Sequence, residues 1–213
     1  MIILKIEGIS KSFDRKKILD NICLELKKGE LVSLLGVSGG GKTTLFNIIA
    51  GLSQPDEGKV FLNNIEITGK PGQISYMLQK DLLLPYRTIE DNVALPLLIK
   101  GMKKKEARLK VSQYFEPFGL NGTQKKYPAQ LSGGMKQRGA LARALALKPR
   151  LLLMDEPFSS LDYLTRKQAR KSLKNLTQTN RSTVVLVTHD IEEAVELGTK
   201  IAILDHKTHR ISH

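Results

Sequence analysis

Tryptophan is absent from this chain, cysteine occurs once, and aromatic residues make up only 5% of its 213 positions. A lone cysteine cannot close an intrachain disulfide, which removes the disulfide-stapled scaffolds and fits a reducing compartment. Cys23 falls in the alternating stretch from Ile18 to Leu26 and is expected to be a buried structural residue. With so few rings, the core has to rest on Leu, Ile and Val. Long apolar runs are missing too. None approaches the ~18 to 20 residues that a bilayer-spanning helix needs. The opening "MIILKIEGIS" puts Lys5 and Glu7 where a signal peptide would need an unbroken apolar segment. Acid is in short supply, with 21 Asp and Glu against 34 Lys and Arg, a formal charge of +13. The surplus gathers at Arg15, Lys16 and Lys17, from Lys100 to Lys110, and at Lys125 and Lys126. No aromatic residue interleaves the central cluster as a base-stacking surface would require, yet charge alone does not decide between nucleic acid, anionic lipid or acidic partners, and a solvated basic face.

What is present is ordered. "MIILKIEGI" and "ILDNICLEL" alternate apolar and polar residues, the pattern of half-buried antiparallel strands. "LVSLLG" is a nearly continuous apolar run that ends in a glycine-rich turn before "KTTLFNIIAGL", whose spacing predicts a helix. "KVFLNNIEI" carries an Asn-Asn pair suited to a tight hairpin, and "ISYMLQ" predicts another strand. From about Asp81 to Gln130 the periodicity turns helical, punctuated by Pro85, Pro96, Gly101, Pro117, Gly119 and Pro128. Beyond it "LLLMDEP", "TVVLVTH" and "KIAILD" predict buried strands, with a surface helix from Tyr163 to Thr179. Strands and helices in alternation predict an α/β fold with a parallel sheet.

Between the first buried strand and its helix stands "GVSGGGKTT", Gly36 to Thr44, which matches G-x-x-x-x-G-K-[ST]. Glycines such as Gly36, Gly39 and Gly41 let successive backbone N–H groups converge on phosphate oxygens, and the helix N-terminus adds a favourable partial charge. Lys42 is expected to reach the β- and γ-phosphates of a nucleotide, and Thr43 to place its hydroxyl on Mg²⁺. Ser38 and Thr44 are near enough in sequence to bond phosphate as well. The matching acid is in "LLLMDEP": Asp155, at the end of a buried strand, can hold the Mg²⁺, while Glu156 faces an attacking water.

A further octapeptide, "LSGGMKQR" from Leu131, has no acid and no nucleophile beside a base. It resembles the signature motif of the ABC ATPase family, and other positions agree with that family's order along the chain. Gln79 resembles the Q-loop glutamine, Ser160, Leu161 and Asp162 the D-loop, His189 the switch histidine, and Phe13 the aromatic residue on which adenine stacks. The resemblance covers about Ile3 to Asp205. It implies a P-loop NTPase core of RecA type with an N-terminal antiparallel β subdomain and an inserted α-helical subdomain at approximately residues 81–130, all within one ATPase domain over 1–213. It also implies ATP and Mg²⁺ as cofactors, and a homodimer paired head to tail in which Ser132, Gly133 and Gly134 serve the neighbour's nucleotide. Gln79 would then contact Mg²⁺ and the lytic water, Glu156 polarise that water, and His189 bond the γ-phosphate.

In function, the resemblance implies the ATP-binding subunit of a transporter at the cytoplasmic face of the membrane, held there by separate permease subunits and served by a solute-binding protein. "QKDLLLPYRTIEDNVALPL" resembles the segment by which importers of nitrate, sulfonate, taurine and thiamine precursors meet the permease, with Leu82, Leu83, Leu84, Pro85 and Tyr86 as receiving residues. Tyr86 stands where tryptophan is common in those importers, and the chain stops shortly after "KIAILD", so no regulatory domain of the sugar-importer type is expected. The alternative class is an exporter or lipid-trafficking ATPase. A nucleic-acid-associated ABC ATPase fits less well, because neither a second cassette nor a long coiled coil is present. His206, His209 and His213 have no convincing ligand set and are expected to be solvent-exposed.

Overall fold

The computed structural model describes residues 1–212; His213 lies outside them. Along the chain run β1 (Ile2–Phe13), β2 (Lys16–Lys27), β3 (Leu31–Leu35), α1 (Lys42–Ile49), β4 (Glu57–Leu62), β5 (Ile65–Glu66) and β6 (Ser75–Met77). Next come α2 (Ile89–Ile99), α3 (Lys104–Val111), α4 (Gly133–Leu145), β7 (Leu151–Asp155), α5 (Tyr163–Asn180), β8 (Thr183–Val187), α6 (Ile191–Leu197), β9 (Lys200–Leu204) and β10 (Ile211–Ser212). These elements fall into two compact units. One comprises Met1–Tyr76, Arg150–Glu156 and Arg181–His213, the other Met77–Pro149 and Pro157–Asn180.

In the first unit, β2, β1, β4 and β5 form an antiparallel sheet in that order. The β1–β2 hairpin turns on Asp14 and Arg15, both at positive φ (48° and 63°), so that Phe13 faces Lys16 across the last rung. Asn63 and Asn64 make the expected tight turn between β4 and β5, again with both φ positive (49° and 64°), a backbone twist that matches the twist of the flanking strands. Alternation in β2 buries Ile22, Leu24 and Leu26 and turns the residues between them outward. Cys23 is one of those residues. It is exposed, not buried as its apolar neighbourhood suggests, and its Sγ accepts a bond from the Gly8 N–H at 3.4 Å.

A second sheet orders its strands β10-β9-β3-β8-β7-β6. The pairs β3–β8, β3–β9 and β7–β8 are parallel, and β10 adds an antiparallel edge. Strands β7 and β8 are buried at every position, as their unbroken apolar runs require. A single cluster joins both sheets to Leu45, Phe46, Ile48 and Ile49 of α1, and no Trp is needed because branched aliphatic side chains fill it. Parallel register places the C-terminal ends of β3, β7 and β8 side by side. In open parallel sheets this is the edge where ligands are held.

The second unit is helical. Thr88 caps α2 by accepting from the Asp91 N–H, and α2 continues through Pro96 at the cost of one backbone bond. Asn92, fully buried, donates from Nδ2 to the carbonyls of Leu84, Arg87 and Thr88 and accepts the Leu84 N–H at 2.7 Å, which fixes the approach to the helix. Helix α2 packs against both α3 and α4. The Tyr114 hydroxyl closes the far end by donating to the Leu145 carbonyl at 3.0 Å.

Candidate nucleotide site

In the first unit the loop from Gly36 to Gly41 folds over the head of α1. Lys42 Nζ donates to the carbonyls of Gly36 (2.7 Å) and Val37 (2.8 Å), so the ammonium is held in the mouth of the loop. Burial lowers the pKa of that ammonium, while Glu156 and Asp155 raise it. Gly41 has to be glycine on two counts: its φ is 94°, and a Cβ there would lie 2.9 Å from the Ile18 side chain. Gly39, also at positive φ (76°), and Ser38 form the exposed crest. Thr44 is half-buried one step beyond Thr43.

Thr43 Oγ1 donates to Asp155 Oδ2 at 3.0 Å, a bond between residues 112 positions apart. Asp155 is 3% exposed. Burial lifts its carboxyl above the ordinary range, with the Glu156 charge adding to the lift, while the Thr43 hydroxyl and the Lys42 charge pull it down. A hydroxyl beside a buried carboxylate is an all-oxygen donor pair that suits Mg²⁺. Among the described residues no group of three or more His, Cys, Asp or Glu could hold a metal ion. A cation at Thr43 and Asp155 would therefore find few charged protein ligands and draw much of its shell from water and phosphate, as Mg²⁺ habitually does.

Glu156 adopts a positive φ (49°), and its N–H donates to the Val187 carbonyl at 3.0 Å, which pins the residue across the end of β8. Its Oε1 lies 3.3 Å from Nδ1 of His189. The residues on either side of His189 are fixed by bonds of their own. Thr188 is buried and donates to Glu193 Oε2 at 2.7 Å, while Asp190 caps α6 by accepting the N–H groups of Glu192 and Glu193. Thr188, Asp190 and Glu193 escaped the sequence reading, although "DIEE" carries a capping-box spacing that could have found Asp190 and Glu193. Tyr76 was missed as well. Its ring stands edge-on to Phe46 at 5.8 Å and its buried hydroxyl has no partner. Burial and then the Asp155 charge push that phenol far above its usual pKa.

Phe13 ends β1 with half its surface exposed, and Lys11 Nζ sits 5.4 Å from the ring centroid. His206 is exposed as expected, but His209 is half-buried. Its carbonyl accepts from the Asp20 N–H at 2.9 Å and its Nδ1 is buried, because β10 folds back along β9.

The second unit gathers the remaining predicted residues. Ser132 is the N-cap of α4 and accepts the Met135 N–H at 3.3 Å; as a hydroxyl it keeps one proton to donate outward. A Cβ on Gly133 would meet nothing within 4 Å, whereas one on Gly134 would approach Leu161 Cδ2 at 3.0 Å. The two glycines therefore differ: the first leaves an open surface, and the second allows close packing against the segment that holds Asp162. Gln137, quoted in the octapeptide without a role, is buried. Its Nε2 donates to Ser159 Oγ (3.3 Å), and its Oε1 accepts the Ser160 N–H (3.0 Å). Arg143 donates to the carbonyls of Asp81 and Leu82. Asp162 accepts the Thr165 N–H at the start of α5, and that bond holds its carboxyl below the usual range. Gln79, just beyond β6, lines an open cleft of about 510 Å³ with Gly133, Gln137 and Ser160. Leu83 is buried, Leu84 half-buried, and Leu82 and Tyr86 are exposed.

Comparison with known proteins places this geometry in a family. The family model described as ABC transporter matches residues 19–159. A sulfate/thiosulfate import ATP-binding protein of Agrobacterium fabrum is 41% identical over 208 residues, covering 94% of this chain and 60% of that protein. The chain thus spans less than two thirds of the length of that relative. An aliphatic sulfonates import ATP-binding protein of Bacillus cereus is 39% identical over 212 residues, with 98% and 83% covered. A taurine import ATP-binding protein of Yersinia pestis is 40% identical over 201 residues, with 94% and 79% covered. Among solved structures, an ATP-binding cassette in a dimeric post-hydrolysis state bound to ADP and Pi matches with a TM-score of 0.89 and 34% identity, over 99% of this chain and 97% of that one.

Proposed function

The chain belongs to the ABC transporter family as an ATP-binding domain, and from that premise we propose that it hydrolyses ATP between two head-to-tail copies and drives import through a separate membrane permease. The observation that carries the reading is the bond between Thr43 and Asp155, which brings the phosphate loop and the acid of "LLLMDEP" into one oxygen-donor pair. Lys42 shifts its proton donors from the Gly36 and Val37 carbonyls to the β- and γ-phosphate oxygens. Thr43 and Asp155, with Gln79, would hold Mg²⁺, which when bound would supply positive charge to the transferring phosphoryl group. Glu156 polarises the attacking water and His189 bonds the γ-phosphate. Phe13 stacks on adenine. Ser132, Gly133 and Gly134 of one copy bind the nucleotide of the other, and Asp162 lies beside that contact. Relatives named for sulfate, sulfonate and taurine import point to a small oxyanion as the solute, selected by the permease and its solute-binding protein. The subunit then works at the cytoplasmic face of the membrane. No helix among the described residues is long and apolar enough to cross it.

The test is the mass in solution of Glu156→Gln, by light scattering, with and without MgATP. A variant that binds ATP but cannot turn it over should shift from monomer to dimer. Wild-type turnover by Glu156→Gln would remove Glu156 from its role. A persistent monomer that still binds ATP, alone and with purified permease, would overturn the shared-site reading.

A further inference from the structure

Much of the positive charge of this chain is not engaged at the nucleotide site. The turn from α2 to α3 reads Ile99, Lys100, Gly101, Met102, Lys103, Lys104, Lys105, four lysines in seven residues with no acid. It is a built turn. Gly101, at φ 85°, lets the N–H groups of Lys100, Gly101 and Met102 reach the carbonyls of Pro96, Leu98 and Leu97, which closes the end of α2. Nearby acids are already committed: Asp91 to Lys104 (3.0 Å) and Arg108 (2.8 Å), Glu90 to Arg108 (3.1 Å), and Glu106 to Lys110 (3.1 Å). Lys100, Lys103 and Lys105 are exposed and make no ion pair among the described residues. Apolar side chains stand among them. Ile99 is 77% exposed, and Leu109, four residues after Lys105 on the helix face opposite the buried Ala107 and Val111, is 75% exposed.

We propose that this turn docks on the surface of an anionic lipid bilayer, with Lys100, Lys103 and Lys105 at the headgroup phosphates and Ile99 in the headgroup boundary. Lysines gathered within six residues of sequence, none of the three in an ion pair, are complementary to a surface of fixed negative charge. Exposed aliphatic residues beside them gain by leaving water at such a surface, whereas a nucleic acid would offer them nothing. The segment also lacks the aromatic residues that stack on bases.

Vesicle sedimentation of the full chain tests this, with phosphatidylcholine alone and with added phosphatidylglycerol, the protein being free of permease. Binding is expected only with phosphatidylglycerol, falling away as salt approaches 1 M, where the Debye length shrinks to ~3 Å. Lys100→Gln, Lys103→Gln and Lys105→Gln together should weaken it on the order of a hundredfold, at roughly fivefold per lysine. A charge-matched control, Lys148→Gln with Lys167→Gln and Lys171→Gln, removes exposed lysines elsewhere and should leave binding nearly intact. Ile99→Ser alone should cost severalfold. ATP turnover and melting temperature report that the fold is unchanged in each variant. Equal losses in the two triple variants, or equal binding to neutral vesicles, would sink the proposal. So would a short DNA duplex that binds more tightly than the vesicles and loses affinity in the same lysine variant, since the turn would then be a nucleic-acid contact.

Discussion

Asp155 carries its charge against the cost of burial, because its carboxyl sits above the ordinary range in the folded chain. A raised native value means that the ionised group reduces stability at neutral pH, a cost that vanishes only below the unfolded value of about 3.9. Asp155→Asn keeps the shape and lets the Thr43 hydroxyl donate to an amide oxygen. Nucleotide-free melting should therefore rise by a few degrees, while Mg²⁺-dependent ATP turnover falls by at least about 10²-fold. A lower melting temperature, measured by scanning calorimetry, would show that the charge is compensated where it lies. Lys42, Thr43, Asp155 and Glu156 were legible because each stands in a short local motif after a buried strand. Gln137 and Tyr76 were not, since their contacts with Ser159 and Phe46 depend on how the backbone brings separate segments together.

Helix α2 depends on its ends more than its propensity. Thr88 accepts the Asp91 N–H, and Glu90 and Asp91 fill the first turn. Thr88→Ala should cost about 1 kcal/mol, lowering the melting temperature by roughly 2–4 °C with ATP turnover nearly preserved. Urea denaturation would check it: a midpoint that does not move places the stability of this helix in Asn92 and the packing against α4. At this scale the strands and the Asn-Asn turn could be read directly, since alternation and turn residues carry their own geometry. The turn at Asp14 and Arg15 went unread: Asp, like Asn, takes positive φ readily, but Arg15 gives no such signal. Cys23 was misread because its apolar neighbours outweighed its phase: it alternates with Ile22 and Leu24 and falls on the same side of β2 as Glu25.

Across the molecule, acid should undo what paired carboxylates hold together. Arg108, with Lys104, keeps the Asp91 carboxyl below its usual range, and bonds from Lys17 and Lys11 do the same for Asp20 and Asp56. A depressed native value means stability that is present above the unfolded pKa of about 3.9 and lost as pH falls through the folded values. Melting temperature should hold from pH 7 to about 5 and then drop, and Asp91→Asn should flatten the fall. A variant that falls as steeply as the parent would assign acid sensitivity to other groups. The sequence alone determined the α/β class, the phosphate loop with its acid, and the family signature, because these rest on periodicity and on short motifs whose chemistry is local. Only the tertiary structure decided that Thr43 meets Asp155 across 112 residues, that Glu156 and His189 lie 3.3 Å apart, and that Gly133 stays open where Gly134 packs. Distances between remote segments follow from strand order and register, and neither is written in any single stretch of the chain.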